Sequence, residues 1–333
     1  MIINGIEQGV SLYGFNQRYV EIPDYTIEDT FRELNELGVE KFEVVGSIFF
    51  DQYPRPAVGE VDRILDAAAQ YGVKPFSYGG YIDHGRITGH TPNDEDYVLD
   101  LTADLKTARE LGCTYARETN IPIHLMPLAA QLAEHYGVGI GIEVHAPSRP
   151  SDPHIQEQLE AFEKIGSDLL GFIPDFGCFI ERPSAPGMEK YLAEGASEEL
   201  LEFIIAHRHS GLSEAQMHER VREMGGGLPE KQAIADFFGF LSFGPADLEG
   251  FTTLLGRSLY FHSKFFHVTE DLTDPTIPVE GLLTRIVDSG FQGVLMSEYE
   301  GHAFHNDDAH EQLDRHLQLE QRVLRSVPVP VHA

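Results

Sequence analysis

The sequence predicts a (β/α)8 barrel, a fold in which eight parallel strands alternate with helices. Short apolar runs typical of strands alternate with helical patterns along the chain, and parallel neighbours need such helical crossovers. Eight strand-like runs favour a closed barrel over an open sheet, and they begin near residues 9, 41, 74, 114, 139, 170, 258 and 292. The length of 333 residues suits one such barrel with an insertion, so residues 1–333 are predicted to form a single domain.

The first four strand-like runs alternate with helices that have identifiable ends. After the first strand, at 9–13, the pattern Thr26-Ile-Glu-Asp29 predicts a capped helix start, and Gly38 predicts the helix end. Strands follow near 41–45, 74–81 and 114–120, with helices through 61–68 and about 94–111. No glycine-rich dinucleotide-binding pattern follows the first strand, which argues against an open nucleotide-binding sheet.

The spacing of the strands breaks once, after the sixth strand. The fifth and sixth strands are accompanied by helices near 125–136 and 155–165. Roughly 75 residues then separate Phe179 from Arg257, far more than the one helix that a barrel unit needs. Helical patterns at 198–207, 213–224 and 230–243 predict a helical insertion at about 180–257. Because an insertion after a strand lies on the active-site face, a lid and a partner-docking surface are both open interpretations.

The composition argues against several classes of function. A net charge of −30 makes nucleic acid and anionic membrane surfaces poor partners. No apolar run reaches the roughly 18 residues of a membrane span, and no secretory signal is visible at the start. Cys113 and Cys178 are the two cysteines, so no disulfide framework is expected and a reducing, cytoplasmic location is predicted.

Four successive strands end in a potential metal ligand. Glu143, Asp175, His262 and Glu298 lie at the ends of predicted strands five to eight. Side chains at these ends of barrel strands converge on one pocket. A solvated or ion-paired strand end is the simpler interpretation for any one of them, but four in succession argue against coincidence. Three carboxylates and one imidazole suit a divalent cation such as Mn²⁺ or Mg²⁺, whereas a thiolate-rich zinc site would look different.

Further polar residues lie beside these four, since residues two apart in a strand point the same way. His145 is a candidate general base, or alternatively a hydrogen-bonding neighbour of the ligands. Lys264 is a candidate for stabilising an oxyanion, or alternatively a member of an ion pair. Glu300 is placed to bond a ligand or a substrate hydroxyl. Arg117 ends the fourth strand beside Glu118, where a structural ion pair and substrate binding are the two interpretations.

These features resemble the xylose isomerase-like barrels, the sugar isomerases and 3-epimerases broadly labelled sugar phosphate isomerase/epimerase. The resemblance rests on eight βα units with Glu143, Asp175, His262-Ser-Lys264 and Glu298 at strands five to eight, and it covers nearly the whole chain apart from the insertion. It implies a Mn²⁺-type ion held by these four ligands. It also implies one functional hypothesis, an isomerase or 3-epimerase in which Glu143 and Glu298 transfer the proton.

Several departures from the epimerase pattern weaken this hypothesis. Epimerases carry a substrate-binding histidine three residues after the aspartate ligand, where this chain has Cys178. They also carry a substrate-binding arginine after the histidine ligand, where Phe265-Phe-His267 stands. They lack His145 and the long insertion.

A closer resemblance is to the large α subunit of bacterial C-glycoside deglycosidases. It rests on the run Gly-Val-Ser-Leu-Tyr at 9–13, on Glu143-Val-His145, and on Ser297-Glu298-Tyr-Glu-Gly-His302. This resemblance implies a carbon–carbon lyase that acts on 3-oxo-C-glycosides of flavonoid-type aglycones. It also implies a small β subunit as the partner in a hetero-oligomer.

The chemistry that this resemblance implies uses the residues already singled out. A 3-oxo group makes the proton at C2 of the sugar acidic, and His145 is suited to take that proton at neutral pH. A divalent ion would act as a Lewis acid that stabilises the enolate, with Lys264 assisting the oxyanion, and β-elimination would release the aglycone. A non-catalytic sugar-binding or scaffold subunit is a third hypothesis, against which the four intact ligands argue.

Overall fold

In a computed structural model of the chain, eight parallel strands form a nearly closed barrel. The structure describes residues 2–81, 89–304 and 308–328. A short strand at the start pairs antiparallel with the first barrel strand and stands apart from the barrel order. The strands are β1 (Ile2–Ile3), β2 (Ile6–Ser11), β3 (Lys41–Val45), β4 (Lys74–Gly79), β5 (Tyr115–Glu118), β6 (Gly139–Val144), β7 (Leu170–Pro174), β8 (Phe261–Phe265) and β9 (Gly293–Tyr299).

The order of the strands around the barrel follows their order in the chain. The strands from β2 to β7 pair in sequence, and β9 pairs parallel with both β2 and β8. Two isolated parallel bridges join β7 to β8, Phe172 with Ser258 and Asp175 with His262, so the barrel is nearly closed at this seam. The predicted (β/α)8 fold class is confirmed.

Helices pack around this sheet and also form the insertion. They are α1 (Arg18–Glu21), α2 (Ile27–Glu36), α3 (Gly46–Phe49), α4 (Glu60–Tyr71), α5 (Asp94–Glu110), α6 (Met126–Tyr136), α7 (Pro153–Ile165), α8 (Ala185–Ala193), α9 (Glu198–His207), α10 (Glu214–Glu223), α11 (Leu228–Phe238), α12 (Leu248–Leu254), α13 (Val279–Asp288) and α14 (Ala309–Ser326). At the start of α2, Thr26 and Asp29 form the predicted capping box, each side chain accepting from the other residue's backbone N–H. Within the described ranges, no helix has the length and apolarity that crossing a membrane requires.

The helical insertion predicted after the sixth barrel strand consists of α8 to α12, between β7 and β8. The bounds of α9 agree with the predicted 198–207. However, α11 ends at Phe238 and not at 243, because Gly239 follows with backbone angles of φ −103° and ψ −128°, outside the helical region. The predicted helices do not include α8, although Ser184, which caps it by accepting from the backbone N–H of Gly187, and Pro186 in the first turn are ordinary helix-start signals.

The insertion packs against loops at the carboxyl ends of the barrel strands. Arg149, in the loop after β6, donates a hydrogen bond to the backbone carbonyl of Pro245 at 2.7 Å. Lys190 on α8 donates to the carbonyl of Ala303, in the turn after β9, at 3.1 Å. The insertion therefore supports the loops that follow two of the strands bearing candidate ligands.

Large apolar side chains fill part of the barrel interior beneath these strand ends. One buried cluster consists of Phe76, Ile173, Tyr260, Val294 and Met296. Ile173, Tyr260 and Met296 each precede a candidate ligand by two residues, so the ligands form the next layer towards the carboxyl ends. On β6 the corresponding residue is Gly141, where a Cβ would lie 2.3 Å from Ile173 Cδ1, so a larger residue there would force Ile173 to move.

Candidate metal centre

The four side chains predicted as metal ligands meet at one point inside the barrel. Glu143, Asp175, His262 and Glu298 come from four successive strands, and each offers a ligand atom within 4.8 Å of the others. All four are buried, with exposed fractions between 0% for Asp175 and 8% for Glu143. We call these four residues the ligand cluster. The structure thus brings together residues that lie up to 155 positions apart in the chain.

Several atoms of the ligand cluster are buried without a hydrogen-bond partner. Asp175 uses Oδ1 to accept from the backbone N–H of Gly177 at 2.5 Å, which leaves Oδ2. His262 Nδ1 lies 3.1 Å from Glu143 Oε1 and 3.3 Å from Glu298 Oε2, which are ion-pair distances. Within the described chain, Asp175 Oδ2 and Glu298 Oε2 lie 2.9 and 3.4 Å from the ammonium nitrogen of Lys264 without forming a hydrogen bond, and His262 Nδ1 makes no hydrogen bond either. The convergence of carboxylate oxygens and an imidazole nitrogen on one point fits a bound cation there, in addition to the ammonium of Lys264.

The charges around the cluster also favour a cation. Five buried carboxylates face two permanent cations; the carboxylates are Glu43, Glu143, Asp175, Glu298 and Glu300, and the cations are Arg117 and Lys264. Burial opposes ionisation of Glu298, but protonated His262 and Lys264 lower its pKa to about 2, whereas burial raises the pKa of Asp175. Ionised carboxylates in a buried site need compensating positive charge, and a divalent ion would supply it.

Glu43 in β3 belongs to the same site, although it is absent from the predicted residues. Its side chain is fully buried and accepts hydrogen bonds from Arg117 Nη2 at 3.1 Å and from His262 Nε2 at 3.1 Å. The available signal in the sequence is its position between Phe42 and Val44, in a strand where a carboxylate interrupts apolar residues. That signal alone does not indicate which residues of other strands Glu43 contacts.

His145 and Lys264 form a pair beside the ligand cluster. The strand β6 ends at Val144, so His145 is the first residue after it and is half-buried. The ring nitrogen Nδ1 is 2.6 Å from the carbonyl of Ala146, which can only accept, so Nδ1 carries the hydrogen. Lys264 Nζ donates to Nε2 at 2.8 Å. The lone pair of Nε2 therefore points into the site.

Carboxylates surround the ammonium group of Lys264. Its Nζ lies 2.9 Å from Asp175 Oδ2, 3.1 Å from Glu300 Oε2 and 3.4 Å from Glu298 Oε2. Burial alone would lower the pKa of Lys264, but these three carboxylates raise it well above its ordinary value. These surroundings favour the charged ammonium form of Lys264.

The two residues predicted to contact substrate have different surroundings. Glu300 accepts a hydrogen bond from the hydroxyl of Tyr13 at 3.3 Å, and Tyr13 is half-buried. Arg117 Nη1 donates to Glu143 Oε2 at 2.7 Å while Nη2 donates to Glu43. The guanidinium thus joins two carboxylates, one of which belongs to the ligand cluster. The roles of Glu300 and Arg117 in substrate binding stay predictions.

Comparison with curated proteins finds relatives that match most of the chain. The chain is 27% identical over 335 residues to the 3'-dehydrocarminate deglycosidase alpha subunit of a Microbacterium species, covering 96% of this chain and 95% of the relative. It is 29% identical over 307 residues to the C-glycoside deglycosidase alpha subunit of Microbacterium trichothecenolyticum, covering 88% and 83%. No protein-family model matches the chain.

Comparison with solved structures supports the fold. A sugar phosphate isomerase/epimerase from Parabacteroides distasonis superposes with a TM-score of 0.57 at 12% identity, covering 96% of both chains. The IOLI protein with a bound zinc atom superposes with a TM-score of 0.55 at 12% identity, covering 97% of this chain and all of the other. The predicted resemblance and the prediction of an enzyme are confirmed: the chain is similar over most of its length to C-glycoside deglycosidase alpha subunits and has the barrel of the sugar isomerases and epimerases.

Proposed function

We propose that this protein is a metal-dependent lyase that cleaves the carbon–carbon glycosidic bond of 3-oxo-C-glycosides. The observation that carries the proposal is the convergence of Glu143, Asp175, His262 and Glu298 beside the Nε2 lone pair of His145. A cation site next to a neutral base suits proton abstraction from carbon beside a carbonyl group. The similarity to subunits named for C-glycoside deglycosidation supports the choice of substrate class.

The ligand cluster would hold the ion, and Mn²⁺ is the proposed metal. Three carboxylate ligands and one imidazole match its preference for oxygen and nitrogen donors. When bound, the ion supplies Lewis acidity that favours negative charge on the 3-oxygen of the sugar. Arg117, which donates to Glu143, would keep that carboxylate ionised and oriented, and any contact of Arg117 with substrate would be made from this position.

His145 is the proposed base. Its Nε2 takes the proton from C2 of the sugar, and the electron pair of that C–H bond forms the enolate with C3. The enolate then collapses: a double bond forms between C1 and C2, and the bond from C1 to the aglycone carbon breaks. The aglycone carbon leaves with that electron pair and takes up a proton. Nδ1–H bonded to Ala146 O keeps the basic nitrogen on the site side throughout.

Lys264 and Glu300 are proposed to bind and orient the sugar. The ammonium of Lys264 donates to His145 Nε2 before substrate arrives, so substrate must take the place of one partner in this pair. Its fixed charge then lies close enough to stabilise the developing oxyanion. Glu300, at the edge of the site with Tyr13, is placed to accept a hydrogen bond from a sugar hydroxyl.

A small β subunit is the proposed partner. The relatives are named as alpha subunits, which implies a second kind of chain in those enzymes. The insertion, which packs against the loops after β6 and β9, would transmit the presence of a partner to the site. A cytoplasmic location also stays a prediction.

The test is an assay of the purified protein, loaded with Mn²⁺ and mixed with a co-expressed small partner subunit. A 3-oxo-C-glycoside of a flavonoid-type aglycone is incubated in deuterated buffer, and the products are followed by chromatography and NMR. We expect free aglycone to appear, and His145→Gln, which leaves all four residues of the ligand cluster in place, to slow its release by about 10²- to 10⁴-fold. Intact 3-oxo-C-glycoside after prolonged incubation would contradict the proposal.

The same assay separates the lyase from an isomerase or 3-epimerase. The two ionised carboxylates Glu143 and Glu298 face each other in the cluster, which is the arrangement that proton transfer by a carboxylate pair would need. Free ketoses incubated in deuterated buffer would then be recovered with solvent deuterium. Deuterium in recovered ketose without aglycone release would favour this second function.

A further inference from the structure

We propose that Glu43 is a positioning residue that fixes the ring orientation of His262, so that Nδ1 and not Nε2 is the metal-binding nitrogen. The inference rests on the proposed metal site, but it concerns which atom of the chain faces the ion. It also assigns a role to a carboxylate on β3, across the barrel from the strand that carries His262.

The two nitrogens of His262 face two different groups of carboxylates. Nε2 lies 3.1 Å from Glu43 Oε2 with hydrogen-bond geometry. Nδ1 points the other way, 3.1 Å from Glu143 Oε1 and 3.3 Å from Glu298 Oε2, without forming a hydrogen bond. A carboxylate paired with a guanidinium can only accept, so the contact with Glu43 requires the hydrogen on Nε2. In the neutral ring, the form that binds a metal ion, the lone pair is then on Nδ1, at the ligand cluster.

Glu43 is itself held too firmly to follow a rotation of the imidazole. Arg117 donates to Oε1 at 3.1 Å, and the hydroxyl of Tyr260 donates to Oε2 at 2.7 Å. Ser77 donates to Oε2 at 3.1 Å. Because several donors fix both oxygens, a flipped His262 would lose its partner without a replacement. A carboxylate that orients a ligating histidine also raises its basicity towards the metal.

Arg117 extends the same control to a second ligand. Its Nη2 bonds Glu43 while Nη1 bonds Glu143 Oε2 at 2.7 Å, which leaves Glu143 Oε1 on the side of the cluster. Glu43 thus orients one ligand directly and another through the guanidinium. If the ion pair between Glu43 and Arg117 were purely structural, neither the contact of Glu43 with His262 nor that of Arg117 with Glu143 would be needed.

The experiment compares metal affinity in two variants that replace a buried carboxyl group by an amide of the same shape. Glu43→Gln keeps the shape but removes the charge beside His262. Glu320→Gln is the matched control, because Glu320 is fully buried on α14 and accepts from Gln8 at 2.6 Å, away from the ligand cluster. Dissociation constants for Mn²⁺ and Zn²⁺ are measured by competition with a chelator, and folding is checked by thermal unfolding without metal.

We expect Glu43→Gln to bind metal about 10- to 100-fold more weakly, with Glu320→Gln unchanged, which is the usual cost of losing a group that orients a ligand. Equal affinities of Glu43→Gln and the unmodified protein would overturn the proposal. So would an unmodified protein that takes up neither ion. A Glu43→Gln variant that loses stability but keeps its affinity would mean that Glu43 is structural.

A second measurement needs no variant at position 43, and therefore does not depend on whether Glu43→Gln folds. The histidines are labelled with ¹⁵N in the zinc-loaded protein, and His262 is assigned by its loss in His262→Gln. We expect a protected Nε2–H and a zinc-bound Nδ1. Zinc coordinated through Nε2 would overturn the inference. Both readouts stand even where no 3-oxo-C-glycoside is cleaved, so failure of the lyase proposal is distinguishable from failure of this one.

Discussion

Two buried polar clusters lie on opposite faces of β8 and β9. On the inner face, His262, Lys264 and Glu298 point into the barrel. On the outer face, Ser297 hydrogen-bonds His316 of α14 at 2.5 Å, and Ser263 and Glu320 lie beside them. We call Ser263, Ser297, His316 and Glu320 the outer cluster. Because successive residues of a strand face opposite sides, the same two strands supply both clusters.

Burial has different effects on the charges of the two clusters. In the outer cluster, burial raises the pKa of Glu320 to about 7 and lowers the pKa of His316 to about 3, so both groups tend towards their neutral forms. In the inner cluster, neighbouring charges lower the pKa of Glu298 and raise that of Lys264, so these two charges persist, although burial raises the pKa of Asp175. A cluster in which carboxylates stay charged under burial is the better candidate for binding a cation.

The largest expected effect comes from removing an inner carboxylate. Glu143→Gln leaves Arg117 paired with Glu43 but removes a charged ligand. Loss of a group that only orients a ligand lowers metal affinity by up to about 100-fold, so loss of the ligand charge itself should lower it further. Chelator competition measures this loss, and aglycone release should vanish with it. Ser297→Ala in the outer cluster is the control and should bind metal normally. If Glu143→Gln bound metal as tightly as the unmodified protein, the contrast drawn between the inner and outer clusters would be wrong.

A second effect separates the base from the ligands. His145→Gln should lower kcat by about 10²- to 10⁴-fold, the range for losing a general base. Metal content should stay at the level of the unmodified protein, because His145 bonds Lys264 and Ala146 and lies outside the ligand cluster. Steady-state kinetics and elemental analysis check the two halves of this prediction. Loss of metal together with activity would place His145 among the ligands.

Substitutions in the outer cluster should change the stability of the protein and not its activity. The folded pKa of Glu320, about 7, exceeds the ordinary value of 4.5, so its stabilising contribution is complete below about pH 4.5 and is lost as the pH rises through 7. Glu320→Gln removes this loss of stability. At pH 8 its free energy of unfolding should exceed that of the unmodified protein by about 3 kcal/mol, whereas at pH 4.5 the two values should differ little.

Chemical denaturation of both proteins at several pH values measures that difference. Taking the difference cancels the opposing contribution of His316, whose lowered pKa acts in both proteins. An increase in the free energy of unfolding that did not change with pH would contradict the prediction that Glu320 is neutral in the folded protein at low pH.

The smallest expected effect lies at the edge of the inner site. Tyr13→Phe removes a hydroxyl that donates to Glu300 at 3.3 Å, a long hydrogen bond, so the cost should be about 1 kcal/mol in kcat/KM. The effect should appear in KM rather than kcat if Glu300 binds the sugar. Substrate-dependence curves for the two proteins provide the measurement. An effect confined to kcat would move Glu300 into the chemical step.

The barrel and the ligand cluster follow from the sequence because both depend on local periodicity. Each ligand ends an apolar run, and parallel strands in a barrel place their carboxyl ends together, so Glu143, Asp175, His262 and Glu298 must converge once the fold is assigned. The resemblance to C-glycoside deglycosidase subunits rests on the same short segments.

The parts that the sequence does not predict depend on contacts across the barrel. Glu43 meets His262 over a separation of 219 residues, and nothing near Glu43 indicates that partner. Likewise, Lys264 bonds His145 across 119 residues. The helix α8 could have been predicted, because Ser184 and Pro186 are start signals; its length of nine residues gives a weaker helical pattern than the longer helices.

The most direct test is anomalous X-ray diffraction from crystals of the protein grown with Mn²⁺, recorded at the manganese absorption edge. The account predicts one strong peak per chain, coordinated by Glu143, Asp175, His262 through Nδ1, and Glu298. A well-ordered barrel with no peak between these four side chains, or with its manganese bound elsewhere, would contradict it.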